Sequence, residues 1–353
     1  MDGATPGEPT RLRISVLDQS PIPEGQTGGQ ALRNSLDLAQ LADRLGYHRY
    51  WLAEHHASPM LACNAPEAMI GPVALSTQRI RVGSGGIMLP HYSPVKVAET
   101  FSLLAGLAPG RIDLGLGRAP GSDPRTAYAL QRDRRQVAPD DFRDQLAELL
   151  AYIDDRVPED FPFARLAKTL PGRPEAPDPW LLGSSPQSGI WAAELGLPYM
   201  FADFISPGHG DLTRRYIEDF RPNEVRTRPR AAVAVSAICA ETDEEAERLS
   251  ASWRMAIMML HTGRLIAVPP VETALRFLEE HTGSAASGPR GRRLIAGSPA
   301  TVRAGIEQVA RDYAAEEVMI VAILHDHAAR RRSYELIAEA FGLPARAAAA
   351  AAA

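Results

Sequence analysis

Two cysteines in 353 residues leave little sulfur chemistry open. Cys63 and Cys239 lie far apart and form no Cys-x-x-Cys pair, which argues against a structural zinc or a redox dithiol. Scarce thiols suit a reducing, cytoplasmic setting. No run of roughly 18 apolar residues occurs, so no membrane span is expected. Basic excess is also lacking. With 38 Lys and Arg against 43 Asp and Glu, the formal net charge is −5, and nothing draws the chain generally to nucleic acid or an anionic membrane. A nicotinamide fingerprint is missing too, since "DQSPIPEGQTGG" is not G-x-G-x-x-G and "GSGGIM" falls within or just after a strand. The N-terminal "MDGATPGEPTRLR" has no signal-peptide core and reads as a loose tail.

What the sequence does hold is rhythm. Hydrophobic residues make up 45% of it and charged ones 23%, ordinary for a soluble globular enzyme. Strand-like runs alternate with helical ones: "LRISVLD", "YWLA", "IRVGSGGIML", "RIDLGLG", "PWLLGSS", "PYMFAD", "RAAVAVSAICA" and "EVMIVAIL". Between the first two, Leu32, Leu36, Leu38, Leu41, Ala42 and Leu45 recur at helical spacing, and Gly46 follows as a C-terminal stop. Pro66 and Pro94 stand where helices begin, while Pro72 should disturb the middle of the second helix. Eight strands alternating with helices imply a parallel sheet, and eight is the number that closes a (β/α)8 TIM barrel, an α/β fold. The rhythm loosens from about Arg118 to Asp178, with one good helix in "DDFRDQLAELLAYI", and again from about Thr262 to Leu294. These read as insertions after strands 4 and 7, and as candidate mobile lids. One domain is expected over residues 1–344, followed by an Ala-rich tail, 345–353, outside the fold.

Barrel active sites lie at the C-terminal ends of the strands. The residues there are Asp18, Gln19 and Ser20; Glu54, His55 and His56; Gly85 and Gly86; Gly117 and Arg118; Gly183, Ser184 and Ser185; Ala202 and Asp203; and His325, Asp326 and His327. Ser184, Ser185 and Ser188 surround the first turn of a helix, where free N–H groups favour an anion, and Arg118 adds a forked donor. The same residues could equally be a helix cap and a surface ion-pair partner. Gly85 and Gly86 fit the close approach of a flat ligand, a non-proline cis bond or an ordinary bulge. "EHH" is open to three readings. As a metal site it would need help from His325, His327 or Asp18, because neighbours on a strand alternate sides. As a proton-transfer site it needs only one histidine and an orienting acid. A structural histidine needs neither.

Taken together, "GYHRYWLAEHH", "RIRVGSGGIMLPHYSPVKVAETFSLLAGLAPGRIDLGLGRAPG", "PWLLGSSPQSGIWAAELGLPYMFADF" and "GSPATVRAGI" resemble the bacterial-luciferase-like flavin monooxygenases. The resemblance runs from "LRISVLDQSPI" to "SYELIAEAF", and "DQSPI" and "GLGRAPG" look like the subgroup that includes polyketide-tailoring enzymes of secondary metabolism. It implies a TIM barrel that takes FMN as FMNH2 from a separate flavin reductase, with O2 as co-substrate. A flavin C4a oxygen adduct would then epoxidise, hydroxylate or carry out Baeyer–Villiger insertion on a small organic substrate, an aromatic polyketide-type metabolite being one candidate. By this likeness the flavin-phosphate arginine falls on Arg118, and the phosphate-binding helix start on Ser184, Ser185 and Ser188. The cis bond beneath the ring falls on Gly85–Gly86, the catalytic histidine on His55 with Glu54 as orienter, and the strand bordering the flavin on Ala202 and Asp203. Luciferase carries a glutamate where this chain has Ser184, which makes the pocket less acidic and suits a phosphate. Its reactive cysteine corresponds to Gly117, so luciferase's aldehyde reaction and light emission are not implied. No metal is expected. A homodimer is, through the Met69–Leu75 and Val97–Leu104 faces. Three alternatives stay open: hydride transfer with the deazaflavin F420 on the same fold, a non-catalytic flavin-binding relative, and a zinc hydrolase built on "EHH".

Overall fold

The computed structural model describes residues 11–118, 123–136, 140–281 and 293–345. The expected N-terminal tail falls largely outside this range, as do residues 346–353 of the Ala-rich tail and residues 282–292 of the second insertion. The strands are β1 (Arg13–Asp18), β2 (Arg49–Leu52), β3 (Arg81–Met88), β4 (Ile112–Gly117), β5 (Asp178–Gly183), β6 (Tyr199–Ala202), β7 (Ala231–Cys239), β8 (Leu294–Gly297) and β9 (Glu317–Val321). All pairings between them are parallel. Every strand except β8 belongs to one closed ring, in which β1 lies between β2 and β9 and β6 pairs with β7. The expected eight-stranded barrel is therefore the fold.

Helices wrap the ring: α1 (Gly28–Leu45), α2 (Pro66–Ser76), α3 (Pro94–Leu107), α4 (Pro124–Leu130), α5 (Phe142–Ile153), α6 (Ala164–Lys168), α7 (Pro186–Glu194), α8 (Gly210–Glu218), α9 (Asp243–His261), α10 (Val271–Glu280), α11 (Pro299–Asp312) and α12 (His327–Ala340). Gly46 ends α1 in the left-handed conformation, φ 84°, with its N–H on the carbonyls of Ala42 and Asp43. Pro72 does not break α2. It sits on the exposed side, where the single ladder bond it removes is open to water.

Strands covered on both faces read as continuous apolar runs, and in β7 all nine residues are buried. Alternation then sorts the side chains into two cores. Val16, Tyr50, Leu52 and Leu114 point outward and pack against the helices, whereas Leu17, Trp51, Trp180, Met200 and Met319 fill the barrel.

Both insertions carry regular structure. The segment from Thr262 to Leu294 holds α10 and runs into β8. Nine-residue β7 pairs with β9 through Ala232–Ser236, and its last four residues take β8 as an additional edge partner. β8 is short and mostly half-exposed, which leaves little apolar signal in its sequence. In the first insertion, α4 and α6 accompany the anticipated α5, and α4 buries none of its residues.

The N-terminal end of the barrel is closed by charge. Arg49 donates to both oxygens of Glu317 at 2.9 and 3.0 Å and to Asp113 at 2.8 Å. Trp51 Nε1 donates to the same Asp113 oxygen at 2.9 Å, and Ser15 Oγ to Glu317 at 2.6 Å. The Arg49 guanidinium lies 4.7 Å from the Trp180 ring centroid. Buried charge is tolerable only when paired and hydrogen-bonded, and each of these groups has partners.

Candidate functional site

The C-terminal ends of the strands surround a cavity of about 460 Å3. Of the residues singled out from sequence, Glu54, His55, Gly85, Gly86, Arg118, Ser184, Ser185, Ser188 and Ala202 line it. They come from β2, β3, β4, β5 and β6 or the turns just after them, so the fold gathers segments 148 positions apart in the chain.

The Gly85–Gly86 peptide is cis, and the β3–β4 register slips between Ser84 and Ile87. Neither glycine has room for a side chain. A Cβ on Gly86 would lie 2.6 Å from the Gly115 carbonyl oxygen and 2.7 Å from Leu182 Cδ1, and one on Gly85 would run into Leu17. This wall is bare backbone by necessity.

His55 stands at the end of β2. Its backbone N–H donates to the Cys63 carbonyl at 3.0 Å, and its ring Nε2 lies 3.3 Å from the Gln19 amide nitrogen. Gln19, one step past β1 on the inward side, also lines the cavity. Glu54 is engaged differently from the expected pairing with His55. One oxygen accepts from His56 Nε2 at 2.8 Å and the other from the Met88 N–H at 3.0 Å, which ties the end of β2 to the end of β3. Both residues line the cavity, but the Glu54 carboxylate is engaged by His56 and Met88 rather than by His55. Nearby Cys63 is no thiolate, because burial pushes its pKa up to about 12.

Arg118 follows β4 directly. Its guanidinium lies 5.4 Å from the Trp191 ring centroid, and that indole packs 5.3 Å from the ring of buried Phe142. Among the described residues it has no carboxylate partner, which removes the ion-pair reading. Across the cavity, Ser185 is the N-cap residue of α7, but its side chain makes no capping bond and Pro186 follows it. The N-terminal turn thus presents free donors. Ser188 is engaged internally. Its Oγ donates to the Ser185 carbonyl at 2.7 Å and sits 3.0 Å from the Tyr199 hydroxyl, so it braces the turn.

Asp203 is a correction. It does not line the cavity. Next to inward Ala202 on the strand, it points outward, where Oδ1 accepts from Tyr313 at 2.7 Å and Oδ2 lies 3.5 Å from Arg293 Nε. Burial raises its pKa. Asp18 is likewise outward, with Arg330 donating to it at 2.6 Å. The histidines after β9 also turn away: His327 Nε2 is 2.8 Å from Asp37, and His325 Nε2 is 3.3 Å from the Glu24 carbonyl. Among the described residues no group of three His, Cys, Asp or Glu is placed to hold a metal ion.

A model of the luciferase-like monooxygenase family matches residues 12–317. The chain belongs to that family. The uncharacterized protein YwcH of Bacillus subtilis strain 168 is 43% identical over 332 residues, covering 94% of this chain and 99% of its own. The N-acetyl-S-alkylcysteine monooxygenase of the same organism is 37% identical over 331 residues, with 93% and 98% covered. The crystal structure of apo-MsnO8 superposes with a TM-score of 0.86 at 40% identity, covering 96% of this chain and 99% of that one. For this luciferase-like monooxygenase the cavity wall also includes Gln19, which the end-of-strand rule names, and Met88, Phe142, Trp191 and Phe204, which it does not. Trp191 and Phe142 sit on helices and carry no such signal.

Proposed function

We propose that this luciferase-like monooxygenase is the oxygenase of a two-component system using reduced FMN and O2. The observation that carries the proposal is the combination of a bare Gly85–Gly86 wall with Arg118 and the α7 N-terminus at one barrel mouth. The residues fit FMN: a wall that excludes a Cβ suits a flat ring, and an arginine without a carboxylate facing free helix N–H groups suits a phosphate. Reduced FMN would supply the electrons that activate O2, one oxygen atom going to the substrate and the other to water. Arg118, Ser184, Ser185 and the N–H groups of the α7 start would bind the phosphate, with Ser188 holding that turn in shape. Gly85 and Gly86 would support the ring. His55 would hold or release a proton at Nε2, steadied by Gln19, and Glu54 would fix the strand end that carries it. The apolar surfaces of Met88, Phe204 and Ile205 would keep water from the mouth. No nicotinamide fingerprint occurs in the sequence, which fits supply of the reduced flavin by a separate reductase.

For the substrate we favour a neutral, aromatic polyketide-type compound. Arg118 is the one cation among the described lining residues, and a substrate carboxylate would compete with phosphate for it. The named substrate of the N-acetyl-S-alkylcysteine monooxygenase makes an S-alkyl thioether acid the second class to try. The same reading includes a cytoplasmic homodimer formed through α2 and α3, where Leu75, Leu103 and Leu107 are 74%, 50% and 59% exposed.

Two measurements test the proposal. Titrating the protein with FMN and with F420 should show clear preference for FMN; preference for F420 overturns it. Pulsing anaerobic protein–FMNH2 with O2 in the presence of candidate substrates should give a product carrying one added oxygen atom. His55→Ala should lower that yield by about 10²-fold, the low end for a proton-transfer group. Undiminished yield removes His55 from its role, and no oxygenated product across both substrate classes favours a binding protein.

A further inference from the structure

At the opposite, N-terminal end of the barrel lie two cavities of contrasting charge. One, of about 610 Å3, is lined by Arg81, Arg226, Arg228 and Arg230. Each of these has a carboxylate: Asp113, Asp154, Glu316 and Asp178, respectively. The other, of about 400 Å3, is lined by Arg11, Arg13, Arg79, Arg81 and His48 together with apolar and backbone surface, and no Asp or Glu is among its described lining residues.

Within the second cavity only Arg81 is neutralised, by Asp113. Arg11 donates to the carbonyl oxygens of Phe341 and Gly342, a helix-end contact, and has no acidic partner among the described residues. Arg13 and Arg79 engage partners only through the backbone: Arg13 N–H meets the Glu316 carbonyl at 3.1 Å and Arg79 N–H meets Asp43 Oδ1 at 3.1 Å. Among the described residues their guanidinium groups make no hydrogen bond or ion pair. His48 adds no charge near neutrality, because burial pushes its pKa down to about 4. Three arginines with no ion-pair partner among the described residues thus line one concave surface of a chain whose net charge is −5. Concave walls focus such a field, and guanidinium forks match oxyanions in geometry as well as charge.

We propose that this cavity is a binding site for a compact polyvalent oxyanion of the phosphate or diphosphate class. The site is separate from the mouth and independent of the flavin reading. The competing role is helix-end capping. It accounts for Arg11, but not for Arg13 and Arg79, which touch no carbonyl with their side chains.

Inorganic diphosphate is the probe, measured by calorimetry and by thermal shift against sodium chloride at matched ionic strength. Wild type should bind it. Arg13→Ala/Arg79→Ala should weaken binding at least tenfold, and Arg118→Ala, at the other end of the barrel, should leave this binding in place. Should the alanine pair fail to fold, Arg13→Lys/Arg79→Lys keeps the charge and loses the forks; it should bind more weakly than wild type and more tightly than Arg79→Glu alone. Free AMP in a parallel titration distinguishes a nucleotide phosphate from the free anion as the source of the group. Binding unchanged in the Arg13/Arg79 variants, binding abolished by Arg118→Ala, or equal stabilisation by chloride would each overturn the site.

Discussion

Arg118 leaves β4 with no ion-pair partner among the described residues, its guanidinium over an indole. The Trp191 face lies under the guanidinium, and Phe142 backs the indole from α5. A cation over an aromatic face is worth about 0.5–2 kcal/mol, which is a factor of roughly 2 to 30 in binding. Trp191→Leu should therefore raise the Kd for FMN by that factor. It should leave riboflavin, which has no phosphate, almost unaffected, and Trp191→Phe should recover part of the loss. Equal losses for both flavins in fluorescence titrations would make Trp191 a general wall residue instead. Single residues were the least legible level in the sequence. The end-of-strand rule named segments that line the cavity, but it took both members of each neighbouring pair. Alternation then sent Ala202 inward and Asp203 toward Tyr313, while Glu54, on the cavity wall with His55, clasps His56 and the Met88 N–H. A periodicity of two was readable; which phase faced the mouth was not, because both residues of each pair are buried or nearly so.

Among the elements, the strands were the plainest. Their apolar runs, stopped by glycine, proline or a polar pair, placed all eight strands of the ring. β8 escaped because four residues, three of them half-exposed, carry no period, and α4 because it buries no face. The contacts between elements were wholly hidden. Arg49, Asp113 and Glu317 stand on β2, β4 and β9, and only ring closure brings them together. A lone buried charge in a strand looks like a break in the apolar pattern until its partners are known. Breaking a buried pair by removing one member costs about 3–5 kcal/mol, because the remaining charge is left uncompensated. Arg49→Leu takes the arginine partner from Glu317, while Asp113 keeps Arg81, so the loss should lie within that range. Urea unfolding would show it as a lowered midpoint; a shift smaller than about 1 kcal/mol would mean that water reaches Asp113 and Glu317 from below.

For the molecule as a whole, the outer surface is where self-association would be written. Leu75 on α2 and Leu103 and Leu107 on α3 are large, apolar and at least half exposed on neighbouring helices. Isolated exposed leucines are ordinary, but several on adjacent helices mark a contact surface. The proposed homodimer through these helices should give a dimer mass in light scattering, and Leu103→Asp with Leu107→Asp should convert it to monomer with the circular dichroism spectrum retained. A monomer in the unaltered protein at micromolar concentration would remove the dimer from the proposal.

The charged floor has one more consequence. Arg49, Trp51 and Trp180 are each at most 2% exposed, and the ring above them is closed. The floor therefore offers no passage among the described residues. A ligand seated deep in the 460 Å3 chamber would leave by the strand-end side, so a second ligand bound above it should slow its departure.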